Sequence, residues 1–173
     1  MKRFLIILLL PVFSAQVFAQ VVIPPYTTKP RLGVGAEFGI PSGSFGNVFT
    51  IGFGGSGKFE VPITREFYAT ATAGFTTFYL KEDMKPLTIN KSYVPLKVGG
   101  KYYFGNYFFG EGELGLSIGT NKNAGSAFVW APGAGISFPV TKDGYIDAGV
   151  RYERWARDGG NINQAGFRIA YKF

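Results

Sequence analysis

The sequence predicts an all-β fold, an eight-stranded antiparallel up-and-down transmembrane β-barrel, on three observations. Apolar and polar residues alternate with a period of two along eight segments. The connections between the segments alternate between short and long, as in barrels with short periplasmic turns and longer extracellular loops. The apolar parity carries aromatic residues near both segment ends and aliphatic residues between them.

The chain begins with MKRFLIILLLPVFSAQVFAQ, which has the three parts of a secretory signal. Lys2 and Arg3 are the basic region, Phe4 to Phe13 is an apolar run too short to span a membrane, and Val17 and Ala19 supply the cleavage site. Residues 1–19 are therefore expected to be a signal peptide that exports the chain. Residues 20–30, QVVIPPYTTKP, hold three prolines and are expected to be an irregular periplasmic lead-in. Residues 31–173 make the barrel. Nothing after residue 20 approaches the ~20 apolar residues of a membrane helix.

Composition narrows the chemistry. Cleavage removes two positive charges from a formal net charge of +7, and the remaining Lys and Arg are dispersed, so no nucleic acid is expected as a partner. Without cysteine there is no disulfide framework or thiolate chemistry. Without histidine the commonest metal ligand and general base is missing. No metal and no cofactor is expected.

The strands follow in order. Residues 32–40 set Leu32, Val34, Ala36, Phe38 and Ile40 against Gly33, Gly35, Glu37 and Gly39. Residues 48–61 set Phe49, Ile51, Phe53, Phe59 and Val61 against Thr50, Gly52, Gly54, Ser56, Lys58 and Glu60. In 67–80, Phe67, Ala69, Ala71, Ala73, Phe75 and Tyr79 oppose Tyr68, Thr70, Thr72, Gly74 and Thr76. In 92–104, Val94, Leu96, Val98, Tyr102 and Phe104 oppose Lys97, Gly99, Lys101 and Tyr103. In 107–119, Phe108, Leu114, Leu116 and Ile118 oppose Glu111, Glu113 and Ser117. Residues 127–140, 145–155 and 163–173 continue the alternation. No segment has a helical period. Residues 62–66, 105–106 and 141–144 are short turns, and 41–47, 81–91, 120–126 and 156–162 are longer loops.

The two faces decide which side is wet. A soluble barrel turns its apolar parity inward, whereas a membrane barrel turns it toward lipid. The polar parity is rich in Gly, Ser and Thr, small enough for a narrow lumen. Its charges are Lys58, Lys97, Lys101, Arg151, Arg168 and Lys172 against Glu37, Glu60, Glu111, Glu113, Asp147 and Glu153, six of each sign. Breaking a buried pair costs ~3–5 kcal/mol, so this balance predicts a lumen ion-pair network. A three-residue connection that pairs Tyr103 with Tyr107 would set Lys97 opposite Glu113.

On the apolar parity, Phe59, Phe67, Tyr102, Phe104, Phe108, Phe138, Tyr171 and Phe173 lie near the short turns. Phe38, Phe49, Tyr79, Phe128, Trp130 and Tyr152 lie near the long loops. Two such belts fit the two interfaces of a membrane, where an amphipathic ring has one apolar and one wet neighbour.

Two resemblances follow from the quoted residues. The end, "GFRIAYKF", with Phe167, Ile169, Tyr171 and Phe173 at alternate positions, resembles the C-terminal strand of Gram-negative outer-membrane barrels. That resemblance implies an assembly signal at Phe173 and Tyr171 that the barrel-assembly machinery reads. "YVPLKVGGKYYFGNYFFGEGELGLSIG", "APGAGISFPV", "YIDAGVRYE" and "AGFRIAYKF" resemble the small outer-membrane β-barrel domain of Bacteroides-type bacteria. The resemblance covers nearly all the mature chain, most specifically residues 93–173. It implies the barrel and an outer-membrane location, and hands over no catalytic residue.

Two motifs invite other chemistry. "GFGGSGKF", residues 52–59, matches the glycine and lysine spacing of a phosphate-binding loop. Such a loop needs a following helix and a Ser or Thr after the lysine, and here Phe59 stands in that place within one alternating strand. Gly52 and Gly54 instead make room on the inner wall, and Gly55 and Gly57 flatten the outer one. Glu111 and Glu113 have the spacing of an acid–base pair, since glycosidase carboxyls lie ~5–9.5 Å apart. Lys97 and Lys101 on the preceding strand are placed to neutralise them. Known enzymatic barrels of this size, lipid A palmitoyl-transferases and deacylases, use a histidine with a serine, and this chain has no histidine. No catalytic residue is assigned.

The function expected is that of a monomeric outer-membrane integral barrel with a polar, ion-paired, closed lumen. Its partners would be outer-membrane lipid and lipopolysaccharide, and its role structural or surface-interactive. Loop residues Lys81, Glu82, Asp83, Lys85, Lys91, Lys122, Arg157 and Asp158 are either contacts for surface anions or simply solvated. Two other readings stay open: a narrow channel for small or apolar solutes, and a soluble exported barrel holding lipid in an apolar lumen.

Overall fold

A computed structural model describes residues 28–86, 89–120, 125–157 and 160–173. The expected signal peptide and most of the lead-in lie outside them, as do Lys122 and Asp158. Eight strands form one closed antiparallel barrel in sequence order. They are β1 (Arg31–Ser42), β2 (Phe49–Pro62), β3 (Phe67–Leu80), β4 (Lys91–Phe104), β5 (Phe108–Gly119), β6 (Ser126–Pro139), β7 (Tyr145–Ala156) and β8 (Ile162–Lys172). Closure leaves no open edge, because β1 pairs with β8 from Gly33↔Lys172 to Ser42↔Asn163.

Residues 63–66, 105–107 and 140–144 connect strands at the end that holds the start of β1 and the end of β8. Residues 43–48, 81–90, 120–125 and 157–161 connect strands at the other end and are on average longer. This wiring makes the short-turn end periplasmic and the long-loop end extracellular. The turn at 105–107 uses Gly105 at φ +67, a left-handed conformation that glycine adopts without steric cost.

The period-two alternation becomes two walls. Val34, Ile40, Phe53, Leu96, Val98, Leu114, Val150 and Ile169 are exposed on the outside. Lys58, Glu60, Lys97, Lys101, Glu113 and Glu153 are buried inside. Glycine-rich β2 is one continuous strand through residues 52–59, with no helix after Lys58. A Cβ on Gly52 would lie 2.7 Å from the Phe78 ring, whereas one on Gly57 would meet nothing. The inner glycine makes room and the outer one leaves the wall flat.

Two expectations are corrected here. Residues Gly43–Val48 form a six-residue helix, α1, where the alternation predicts a loop and no helix. Six residues are too few to show a helical period, and the turn is fixed by burial of Phe45 in the barrel mouth. Phe49 belongs to this interior cluster and not to the outer aromatic belt. A register irregularity between Phe49 and Ile51 adds one residue to β2 and reverses the parity of Phe49. The remaining belt residues are exposed on the outer wall, among them Phe59, Phe104, Phe108 and Phe173 at one end and Phe38, Tyr79, Trp130 and Tyr152 at the other.

Candidate functional site

The lumen is closed by three layers. At the extracellular mouth, Phe45 stacks on Phe49 with ring centroids 4.3 Å apart and meets Phe78 edge-on at 5.1 Å. Phe78 also packs against Tyr93 and Trp155, and Val129 and Ile162 complete the cluster. Phe78, Tyr93 and Trp155 share the parity of Thr76, Lys97 and Glu153, so alternation could have placed them inside. Phe45 gives no such signal.

Beneath this cap lies an eight-residue ionic cluster drawn from β1, β2, β4, β5, β7 and β8. Lys58 Nζ lies 2.5 Å from Glu111 Oε2 and 3.1 Å from Glu113 Oε1. Lys97 Nζ bridges Glu113 Oε2 at 3.1 Å and Glu153 Oε1 at 2.9 Å. Arg151 donates through Nε to Glu153 and through Nη2 to Glu37, each at 2.6 Å. Arg168 lies 3.5 Å from Glu37 and donates to Ser56 Oγ at 3.0 Å, while Ser56 donates to Glu37. Neutral groups take up remaining lone pairs: Thr72 donates to Glu113, and Trp155 Nε1 and Gln164 Nε2 donate to Glu153 Oε2. The cap and the ionic layer are therefore joined at Glu153.

Nearer the periplasm is a four-residue cluster. Lys101 Nζ donates to Glu60 Oε1 at 2.9 Å and to Asp147. Lys172 Nζ lies 3.3 Å from Glu60 and 3.2 Å from Asp147, and donates to the Tyr103 hydroxyl at 2.7 Å. Ser137 donates to Asp147 at 2.5 Å. Aromatic rings line this end: Lys101 Nζ lies 3.9 Å from the centre of Phe109, and Arg31 lies 4.3 Å from that of Tyr145. Arg31 is a further buried cation that the alternation did not single out.

All twelve lumen residues expected from the sequence are thus inside and ion-paired, and they divide into two balanced groups. The upper cluster holds Lys58, Lys97, Arg151 and Arg168 against Glu37, Glu111, Glu113 and Glu153. The lower holds Lys101 and Lys172 against Glu60 and Asp147. Each sums to zero, which is the condition for keeping charges in a narrow low-dielectric space.

The pairing differs from expectation in one respect. The β4–β5 hairpin pairs Tyr103 with Phe109, so Lys97 stands opposite Gly115 and Glu113 opposite Gly99. Lys101 is the ladder partner of Glu111 but turns to Glu60 and Asp147, leaving Glu111 to Lys58 on β2. Among the described residues no cluster of acidic side chains is arranged to hold a metal ion. Tyr171 and Phe173 lie outside the lumen, exposed in the periplasmic belt with ring centroids 6.2 Å apart.

Comparison with known proteins agrees with this architecture. The family model described as outer membrane protein beta-barrel domain matches residues 5–173. The chain belongs to that family. Membership implies an outer-membrane location, which the outward apolar wall fits. Among solved structures the chain is similar to Ail, the attachment invasion locus protein of Yersinia pestis, at 17% identity and a TM-score of 0.55 over 83% of this chain and 97% of that one. It is also similar to Neisserial surface protein A, at 14% identity and a TM-score of 0.63 over 83% and 95%. A third similar structure is the N-terminal barrel domain of Pseudomonas aeruginosa OprF, at 13% identity and a TM-score of 0.51 over 83% and 97%. No match was found among curated proteins. These likenesses show the fold, and the family is shown without its Bacteroides-type branch.

Proposed function

We propose that this protein is a non-conducting, non-enzymatic barrel of the outer membrane, exported by its signal peptide. It contributes to the envelope by its presence in the bilayer and by the surface its loops present. The observation that carries this reading is the lumen, filled from mouth to base by an aromatic cap and two charge-balanced clusters. A soluble lipid carrier would need an apolar lumen, and here the aliphatic band faces outward while the lumen beneath its aromatic cap is ionic. A narrow channel would need a continuous polar path, and the cap and ion pairs occupy it. Planar-bilayer recording of the purified protein tests this: no unit conductance is expected, and a reproducible one would favour the channel reading.

A surface-interaction role has specific support at the extracellular end. A cavity of about 340 Å³ beside α1 is bordered by Lys91 and Arg157, with Phe45 and Phe49 against it. Ail, a protein of similar fold, has been solved in complex with the heparin analogue sucrose octasulfate. A sulfated saccharide therefore suits the first binding assay, with a Lys91→Gln and Arg157→Gln double variant as its control. Equal binding by the wild type and the double variant would remove the cavity from the argument.

A further inference from the structure

The lumen charges balance in two levels, and a third level of charge stands above the cap. Lys91 and Arg157 each lie two residues further out than a cap residue of inward parity, Tyr93 on β4 and Trp155 on β7. Both are half-buried, and they lie near enough to repel each other. They border the cavity of about 340 Å³ beside α1, whose described lining residues include no carboxylate. The lining comes from α1, the starts of β2 and β4, and the connection after β7. Those elements stand on different sides of a barrel closed in sequence order, so the cavity lies over the lumen and not on the outer wall.

Arg157 is held in place from two sides. Its Nε donates to the Gly160 carbonyl and its Nη1 to the Tyr93 hydroxyl, each at 3.1 Å. Tyr93 is itself fixed, its ring edge-on to those of Phe78 and Trp155. A charge already ordered by its neighbours loses little freedom when a ligand binds. The apolar part of the lining is Phe45 and Phe49, the stacked rings of the cap, with Val48 beside them. The cavity is therefore amphipathic. A polyanionic saccharide would answer the cations and leave the rings bare, and a neutral hydrocarbon would do the reverse. At the small end of the ~300–1,000 Å³ range of ligand sites, it has room for a body of one or two rings.

We infer that this cavity captures a small organic acid from outside the cell, an aromatic or branched carboxylate. Its charge meets Arg157 and Lys91, since guanidinium and ammonium groups make charge-assisted bonds to carboxylates. Its body lies on Phe45, Val48 and Phe49, where a ring against a ring gains contact beyond the area buried. The acid is held on the cap and not passed through it. This deepens the surface-interaction reading of the cavity and rests on it.

The full chain in phosphatidylcholine nanodiscs is titrated calorimetrically with 1-naphthoate at neutral pH, and the heats of empty nanodiscs are subtracted. One naphthoate per barrel is expected. 1-Naphthalenemethanol has the body without the charge and acetate the charge without the body, so each should bind at least about tenfold more weakly. The Lys91→Gln and Arg157→Gln double variant should lose at least about tenfold in naphthoate affinity. Val48→Trp, which fills the cavity and keeps both cations, should lose as much. Heat-modifiable gel migration verifies that each variant is a closed barrel. Unchanged naphthoate binding by either variant, or naphthalenemethanol bound as tightly as naphthoate, overturns the inference. Sucrose octasulfate is a separate arm. If it binds through Lys91 and Arg157 and naphthoate does not, the acid is overturned and the surface-interaction reading stands. If neither binds, both fall.

Discussion

Lys97 and Glu113 meet at 3.1 Å although neither faces the other across the β4–β5 ladder. Each stands opposite a glycine, Lys97 opposite Gly115 and Glu113 opposite Gly99, and the contact runs diagonally over one step of two residues. Both glycines are forced, because a Cβ on either would strike the backbone of the facing strand. The empty positions let two long side chains lean together.

Lys97→Met should destabilise the barrel by about 3 kcal/mol, as expected when a buried anion loses a partner. Glu113 would keep Lys58 at 3.1 Å, but Glu153 would be left to Arg151 alone among its cations. Adding Glu113→Gln should cost less than the sum of the single losses by about 1 kcal/mol, the usual size of coupling between contacting residues. Urea unfolding in detergent of both singles and the double measures this. Strict additivity would show that the two residues do not act on each other.

The glycine-rich stretch of β2 offers a paired test of which wall is which. Gly52→Ala places a methyl carbon 2.7 Å from the Phe78 ring and should cost about 1–3 kcal/mol by overpacking the cap. Gly57→Ala, on the outer wall with nothing near it, should be neutral or slightly stabilising. A nucleotide loop would remove the difference, since both positions would then belong to one phosphate cradle. Comparable losses at the two positions in thermal melts would refute the assignment of walls.

Parity explains why so much of this barrel was legible. A period of two sorts every strand residue to one wall, so the twelve ionic residues and most of the belts follow from counting. Parity does not give register. Hairpin pairings that sum to 210 or 212 keep the same faces together, and the observed one, Tyr103 with Phe109, places Gly105 first in the turn at φ +67. Nor does parity give the partner across a lumen. Lys58 on β2 reaches Glu111 on β5, and Arg151 on β7 reaches Glu37 on β1, which depends on curvature and side-chain length. Phe49 escaped because a single irregular step reverses the count, and α1 because its six residues are held by one buried ring.

Closure by independent layers has its own consequence. Phe45→Ala removes the ring stacked on Phe49 and should cost about 3 kcal/mol, the lower end for losing a buried phenylalanine. It should not open a conducting path, because the eight-residue ionic cluster beneath still fills the lumen. Thermal melts and planar-bilayer recording of the same preparation separate the two effects. A conducting Phe45→Ala barrel would show that the ionic layer does not seal.

The C-terminus separates assembly from stability. Phe173 exchanges two backbone hydrogen bonds with Leu32, at 3.0 and 3.1 Å, where the first and last strands close the barrel. Its ring is exposed in the periplasmic belt beside Tyr171. Deleting Phe173 therefore removes two hydrogen bonds at an exposed strand end, each contributing about 1 kcal/mol or less. The lumen is held mainly by residues further along β8 and on the other strands, including Arg168 on Glu37 and Lys172 on Glu60. Protein refolded from urea into detergent should thus lose no more than about 2 kcal/mol. If the terminal aromatic is an assembly signal, the same deletion should lower folded protein in the outer membrane of cells several-fold while export continues. Phe173→Tyr, which keeps an aromatic ring, should restore it. Folded yield would be followed by heat-modifiable migration of outer-membrane fractions, and export by processing of the precursor. Unchanged folded yield in cells would remove the signal from Phe173, and a parallel collapse of refolding in vitro would make its role one of packing.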